Sequence, residues 1–255
     1  MIREVHRPKT LEEALDLLSR QGVVTVAMGG GTVLNRPSSE AVAVVDLQDL
    51  GLDKVEVKGH VLSLGATATL AALLDLPDLP VALAQVIRLE ATYNLRQVAT
   101  LAGSLVSADG RSPLAAALLA LDAVLDVAKS GAAVEQIGLG DLLPVRGEKL
   151  RGRLVTRLTL PLNARPAYES VARTPADLPI VCAAAAVWPS GRTRLALGGF
   201  GPAPTLALDG PESQGAEDAA FSAYSDAGDE WASAEYRREM AQVLARRCLA
   251  QLNQG

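Results

Sequence analysis

The feature that most constrains the fold is a run of glycines, Gly29–Gly31, which follows the β-branched segment Val23–Val26 after Ala27 and Met28. Before that segment, Thr10 and Glu13 form a capping box, apolar residues follow at helical spacing, and Gly22 stands where such a helix ends. The sequence therefore predicts a helix, a buried strand and a glycine loop in succession. Because no Lys follows the glycines and their spacing is not GxGxxG, a Walker loop is excluded and the usual dinucleotide fold is disfavoured.

The glycine loop is the first candidate binding site. Consecutive glycines have no Cβ atoms, so the backbone can turn sharply and present several N–H groups to one anion. An ordinary tight turn explains the same residues, and this segment taken alone favours that interpretation. The candidate residues are Ala27, Met28, Gly29, Gly30, Gly31, Thr32, Val33 and Leu34.

A second candidate site lies within residues 94–105, which have no clear period and are predicted to be rich in loops. Accessible backbone and hydroxyl donors in this segment would suit a phosphate or a ribose. A polar loop that covers the start of a helix is an equal alternative. The candidate residues are Thr100, Leu101, Ala102, Gly103 and Ser104.

The rest of the chain alternates short apolar segments with helical ones. Strands are predicted at residues 41–47, 55–57, 61–64, 123–128, 153–160, 168–173, 180–187 and 192–198, with the second and third forming a hairpin. Helices are predicted at residues 67–76, 79–90, 113–121 and 231–252, the last with Tyr236, Met240, Val243 and Leu244 on one face. Residues 161–166 are the predicted linker, and residues 207–229 are predicted to be a loop or a weak helix.

Composition restricts the class of protein. Of the 255 residues 49% are hydrophobic but only 3% aromatic, so the core must consist of Ala, Leu and Val, as in an α/β or α+β protein. A net charge of -5 argues against nucleic acid as a partner. No apolar run is long enough for a membrane span, and the first residues do not resemble a signal peptide, so we expect a cytoplasmic protein.

Catalytic side chains are scarce. Only two histidines occur, His6 near the start and His60 in the predicted hairpin turn, and neither belongs to a nucleophile or metal motif. Cys182 and Cys248 are two isolated cysteines, which give neither the spacing of a metal motif nor a disulfide framework. If the chain takes part in a reaction, a cofactor must carry the chemistry.

The two candidate segments occur in an order that resembles a known family. The glycine loop and the segment LRQVATLAGSL, about seventy residues later, are similar to the AGGTDL and RNxATIGGN loops of the FAD-binding medium subunit of molybdenum hydroxylases, such as xanthine dehydrogenase and aerobic carbon monoxide dehydrogenase. Further similar segments follow in the family's order: Leu64–Leu70, Leu154–Pro161, Ala167–Arg173, Ala196–Gly199 and a final helix from Glu235.

The resemblance implies a fold and domain limits. It implies an α+β protein: a two-lobed FAD-binding domain of the vanillyl-alcohol-oxidase/PCMH type over residues 1–162, with lobes of about 1–54 and 55–162, and a smaller C-terminal α/β domain over residues 163–255. Both loops would wrap the FAD pyrophosphate, and Leu154 would belong to the cofactor site. The family's aspartate that binds the FAD sugar falls on Pro113, so the resemblance implies that FAD binds more weakly here than in the family and that Pro113→Asp tightens binding. The alternative is that Asp109, four residues earlier, already reaches the sugar.

Other positions also depart from the family. Val33 replaces its first-loop Asp, Ala102-Gly103-Ser104 replaces its GGN, and Ser170 replaces a Lys near the flavin. The resemblance implies an electron-transfer subunit without activity on its own. It would take electrons from a molybdopterin-binding large subunit through a [2Fe–2S] small subunit and pass them to an external acceptor. A homologue that has lost FAD and acts as a structural or assembly subunit is the alternative.

Overall fold

A computed structural model describes residues 1–34 and 41–254. The strands are β1 (Ile2–His6), β2 (Thr25–Met28), β3 (Val42–Asp46), β4 (Val55–Lys58), β5 (Val61–Gly65), β6 (Val124–Lys129), β7 (Glu135–Gly138), β8 (Arg153–Pro161), β9 (Arg165–Val171), β10 (Val181–Val187), β11 (Thr193–Gly198) and β12 (Thr205–Gly210). The helices are α1 (Leu11–Ser19), α2 (Leu70–Leu74), α3 (Val81–Glu90), α4 (Tyr93–Arg96), α5 (Leu101–Ser107), α6 (Pro113–Ala120), α7 (Leu139–Leu142), α8 (Arg146–Lys149), α9 (Ala216–Ala223) and α10 (Ala234–Asn253). Among the described residues, no helix has the length and apolar character needed to cross a membrane.

The chain divides into two compact units, each made of three separate segments. The first contains Met1–Leu76, Tyr93–Ser107 and Val124–Thr159. The second contains Pro77–Thr92, Ala108–Ala123 and the chain from Leu160 onward. The boundary at residue 162 stays a prediction; the first unit ends before it, and the second unit takes segments from both sides of it.

The first unit begins with a parallel sheet in the order β1-β3-β2, against which α1 packs through Ala14, Leu15 and Leu18. The predicted cap is confirmed, because the Glu13 N–H donates to Thr10 Oγ1 at 3.2 Å. The Glu13 carboxylate, however, accepts from the N–H of Lys9 rather than of Thr10. The predicted strand at Val23–Val26 starts late, because pairing with β3 begins only at Thr25.

A second sheet of the first unit has the order β4-β5-β8-β6-β7. The predicted hairpin of β4 and β5 is confirmed, with Gly59 at a φ of 59° in its turn. The sequence did not predict β7 or the short helices α7 and α8. These elements lie in the connection between β6 and β8, two strands that pair directly with each other.

The second unit contains a four-stranded sheet in the order β12-β11-β10-β9. Every described pairing in it is antiparallel, so this part is α+β rather than the α/β predicted for residues 163–255. The segment predicted as a loop or weak helix begins with the edge strand β12 and then forms α9. The predicted linker is only a short connection between β8 and β9.

Two helices of this unit show how its core is built. All eight residues of α6 are buried, and both α6 and α10 pack against the alanine-rich β10. The predicted face of α10 is wrong at Tyr236, which is 40% exposed. The buried face consists of five uncharged residues and one cation: Arg237, Ala241, Leu244, Ala245, Cys248 and Leu252. The Arg237 guanidinium is tolerated there because it donates to the carbonyl oxygens of Ile180 and Ala227 and to the Asp229 carboxylate.

Candidate functional site

The glycine loop leaves the carboxyl end of β2, in the parallel sheet of the first unit. The register places Met28 opposite Asp46, and the Leu47 N–H donates to the Met28 carbonyl at 3.0 Å. Asp46 is 1% exposed and accepts from Arg7 Nε and Nη2 at 2.9 and 2.7 Å. The ends of the three parallel strands are thereby held together, and this edge of a parallel sheet is a common location for ligands.

The glycine loop packs directly against the second candidate segment. A Cβ atom on Gly30 would lie 1.6 Å from the Val98 carbonyl oxygen, and one on Gly29 would lie 2.4 Å from Thr100 Oγ1. Neither position tolerates a side chain without movement of the neighbouring segment. The structure therefore brings the two segments together, as the sequence predicted, and the glycines permit the contact.

The second candidate segment is mostly helical, and the prediction of a loop was wrong. Thr100 is the N-cap of α5: its Oγ1 accepts from the Gly103 N–H at 3.2 Å, and its carbonyl accepts from the Ser104 N–H at 2.9 Å. Leu101 and Leu105, four residues apart, are 1% and 2% exposed. The segment is too short for this spacing to show as a period in the sequence.

Residues of the Leu64–Leu70 motif anchor the second segment. The N–H groups of Leu101 and Ala102 donate to the carbonyls of Ala68 and Ala66 at 2.9 and 3.1 Å. All four N–H groups from Leu101 to Ser104 therefore have acceptors within the protein. In contrast, the N–H groups of Gly29, Gly30, Gly31 and Thr32 donate to no acceptor in the described part of the chain.

A cavity of about 470 Å³ in the first unit adjoins these free donors. Of the predicted site residues, it is lined by Ala27, Met28, Gly29, Gly30, Gly31, Thr32, Val33, Leu34, Thr100, Ala102, Gly103 and Leu154. Leu101 is buried in the core, and Ser104 does not line the cavity. Asp109 belongs to the second unit, where its Oδ1 accepts from the Arg111 N–H at 2.8 Å.

One wall of the cavity was not predicted. It is formed by the segment 146–155, which contributes three arginines, and none of the described lining residues is acidic. Arg146 Nε donates to the Val106 carbonyl at 3.0 Å, and Arg153 pairs with Glu135. The exposed Arg151 side chain makes no hydrogen bond or ion pair with a described residue. The basic run RGEKLRGR before β8 was the available signal in the sequence.

The cavity fits a ligand that carries phosphate groups and a planar apolar part. Free backbone N–H groups and arginines supply donors and positive potential in a protein of net charge -5. Apolar residues line the remainder, among them Leu18, Val26, Leu47, Leu150 and Leu154. Ligand pockets of proteins usually have volumes of about 300–1,000 Å³, and this cavity lies within that range. No group of side chains suited to a metal ion occurs among the described residues.

The start of α6, in the second unit, is the place where Pro113→Asp was expected to tighten FAD binding. Pro113 is buried, and Glu90 Oε2 accepts from Ser112 Oγ and the Leu114 N–H at 2.8 and 3.0 Å. Burial raises the pKa of Glu90 above its ordinary value. An aspartate at position 113 would add a second carboxylate beside Glu90. The structure thus gives no support to the expectation that Pro113→Asp tightens FAD binding.

Comparison with known proteins gives consistent matches. A family model described as the FAD binding domain in molybdopterin dehydrogenase matches residues 1–163. The protein YgfM of Escherichia coli strain K12 is 31% identical over 202 residues, which cover 78% of this chain and 75% of YgfM. A chain of a Cu,Mo-CO dehydrogenase crystal structure superposes with a TM-score of 0.83 at 23% identity, over 98% of this chain and 97% of that one. A chain of quinoline 2-oxidoreductase from Pseudomonas putida 86 superposes with a TM-score of 0.78 at 23% identity, over 99% of this chain and 97% of that one.

Proposed function

Because this chain belongs to the family of FAD-binding domains of molybdopterin dehydrogenases, we propose that it is the FAD-binding, electron-transfer subunit of a molybdopterin-dependent dehydrogenase or hydroxylase. The family inferred from the sequence and the mixed α+β fold are confirmed. The observation that carries the proposal is the set of N–H groups from Gly29 to Thr32, which have no acceptor among the described residues and lie beside a cavity with arginines and no described acid.

We assign each part of the cavity a role toward FAD. The N–H groups of the glycine loop donate to the pyrophosphate, and Arg151, which has no described partner, supplies positive charge. The second segment acts mainly as support, because its N–H groups from Leu101 to Ser104 already have acceptors. Leu154 and the other apolar lining residues exclude water from the planar part of the ligand.

FAD, when bound, supplies a carrier that takes electrons singly and releases them in pairs. The chain itself orients this carrier, and the described residues contain no acid, base or nucleophile that we assign to a reaction. We propose as partners a molybdopterin-binding large subunit, which determines the substrate, and a [2Fe–2S] small subunit, which delivers the electrons. The support for these partners is the likeness to chains of CO dehydrogenase and quinoline 2-oxidoreductase.

One observation favours a second function, that of a structural or assembly subunit without FAD. The second segment offers no free N–H group from Leu101 to Ser104. Ser104 stands where the resembling family has Asn, and it does not line the cavity. If the cofactor also needs donors from this segment, the glycine loop alone would bind it too weakly. The two functions differ in whether the purified chain binds FAD.

Calorimetric titration of the full chain with FAD and FMN tests the proposal. FAD should bind at least about tenfold more tightly, because its pyrophosphate offers acceptors that the single phosphate of FMN lacks. Gly30→Ala should abolish this binding, because its Cβ would overlap Val98. Gly147→Ala is the matched control, since it also lines the cavity but its added Cβ meets no atom within 4 Å. Equal affinities, or no binding of either flavin, would reject the proposal and favour the structural subunit.

A further inference from the structure

Two arginines of the second unit stack on one exposed tryptophan. The Arg111 Cζ lies 4.5 Å and the Arg173 Cζ 4.7 Å from the centroid of the Trp231 ring. The two Cζ atoms are therefore at most 9.2 Å apart, the sum of these distances. Trp231 remains 39% exposed, so the cluster is accessible to a ligand.

Neither arginine of this cluster is neutralised. Arg111 and Arg173 form no ion pair with a carboxylate in the described residues. Three acids close to these residues in sequence have other partners: Asp109 accepts from the Arg111 backbone N–H, Asp177 from the Thr174 N–H, and Asp229 from the Trp231 N–H and from Arg237. The exposed Glu230, beside Trp231 in sequence, forms no described ion pair with either arginine.

A second arginine–tryptophan pair in the same unit provides a contrast. Arg192 Cζ lies 5.0 Å from the Trp188 ring, but Arg192 also pairs with Asp122 and Asp209 at 2.9 and 2.8 Å. The charge of Arg192 is therefore already balanced by carboxylates and needs no anionic ligand. At Trp231, in contrast, two guanidinium groups contact one ring and have no described acidic partner, so their positive charges favour the binding of an anion.

The cluster is held in place before any ligand arrives. Arg111 Nε and Nη2 donate to the carbonyls of Pro179 and Leu178 at 3.0 and 2.7 Å. The Trp231 N–H donates to Asp229 Oδ1 at 2.8 Å. The Nη1 atom of Arg111 and the whole donor edge of Arg173 make no described hydrogen bond. Guanidinium groups fixed by stacking lose little freedom when they bind an oxyanion.

We propose that Arg111, Arg173 and Trp231 form a binding site for the phosphate group of a small soluble ligand. A phosphate dianion has enough acceptor oxygens to bridge both guanidiniums, and arginine forks match its geometry. This site lies in the second unit and does not depend on the glycine loop or on FAD.

Fluorescence titration of the full chain tests this site. The chain has two tryptophans, so the Trp188→Phe variant leaves Trp231 as the sole fluorescent tryptophan. Inorganic phosphate and pyrophosphate, added at constant ionic strength, should each change the Trp231 emission in a saturable manner. Arg173→Gln should weaken this binding at least tenfold, and Arg173→Lys, which keeps the charge but not the fork, should weaken it less. Arg192→Gln should alter it by less than twofold, because that arginine already has acidic partners.

Several outcomes would overturn the proposal. These are the absence of a saturable response, an equal response in Arg173→Gln, or an equal loss in Arg192→Gln. Tighter binding of citrate than of pyrophosphate would assign the site to carboxylates instead. A response lost in Arg151→Gln would place the anion in the first unit. If that variant responds normally, the Trp231 site stands whether or not the chain binds FAD.

Discussion

At the scale of single residues, the three glycines of the first loop serve different purposes. Gly31 has a φ of 68°, a conformation that side chains other than glycine rarely adopt. Gly29 and Gly30 do not have this conformation, and they are required because Thr100 and Val98 approach them too closely for a Cβ. The sequence indicated a glycine-rich turn, but only the structure shows that the second segment imposes two of the three glycines.

Arg151 is the residue for which we expect the clearest electrostatic effect on cofactor binding. Arg151→Gln should weaken FAD binding about three- to tenfold, at the low end for a charged contact because solvent screens this exposed side chain. Arg157→Gln is the matched control, since Arg157 lies on the adjoining β8 but does not line the cavity. Calorimetry at low and high salt measures both variants. An equal loss in the two, or a loss that salt does not reduce, would contradict the assignment of Arg151.

Glu90 should make the stability of the chain depend on pH. Its buried carboxyl has a pKa above the ordinary value of 4.5, chiefly because burial disfavours the charged form. The folded chain therefore keeps a proton that the unfolded chain has released. The stability that this proton contributes is complete below pH 4.5 and is lost as the pH rises through the folded-state pKa.

Urea unfolding at a series of pH values measures this effect of Glu90. The free energy of unfolding of the parent chain should decrease with rising pH above 4.5 more steeply than that of Glu90→Gln, which cannot ionise. Asp177→Asn, a change at an exposed carboxylate, serves as the control and should keep the parent slope. Identical slopes for the parent and Glu90→Gln would show that the carboxyl is not shifted.

At the scale of elements, the sequence predicted those that carry their own signal. The capped helix α1, the hairpin β4–β5 and the apolar helix α6 have a cap, a turn glycine or a continuous apolar run. The short helix α5 could not be predicted, because bonds from Leu101 and Ala102 to residues distant in sequence stabilise it. The same limit applies to the site. The glycine loop could be identified from the sequence, whereas the position of the arginines of segment 146–155 and the hydrogen bonds of the N–H groups in the second segment depend on tertiary contacts.

The two loops should differ in hydrogen exchange. The amides of Leu101 and Ala102 have acceptors in the protein and should exchange slowly with or without FAD. The amides from Gly29 to Thr32 have none among the described residues, so they should exchange rapidly alone and slow at least tenfold when FAD is added. Exchange measured by mass spectrometry, with FMN as the control ligand, compares the peptides. If protection appears mainly in the second segment, our division of roles between the two is wrong.

At the scale of the whole molecule, the chain should not act alone. The proposed function assigns the substrate to a molybdopterin-binding subunit and the delivery of electrons to an iron–sulfur subunit, and its support is the likeness to chains of CO dehydrogenase and quinoline 2-oxidoreductase. On this proposal we expect a tagged chain to show no turnover by itself and to co-purify from its native host with these two subunits. Mass spectrometry of the captured proteins and their metal content measures this outcome. A stable monomer that oxidises a substrate would contradict it.

The interleaving of the two units bears on how the protein is made. As the chain leaves the ribosome, α3 and α6 emerge long before β10 and α10 of their own unit. Every residue of α6 is apolar and buried in the finished fold. Until β10 and α10 are synthesised, this helix has no polar face to expose to water. Synthesis would therefore pass through a stage at which the nascent chain exposes a segment prone to aggregation, and shortening the chain near residue 162 would make that stage permanent. Burial of every residue of α6 in the finished fold thus makes this helix dependent, during synthesis, on segments of its unit that emerge later.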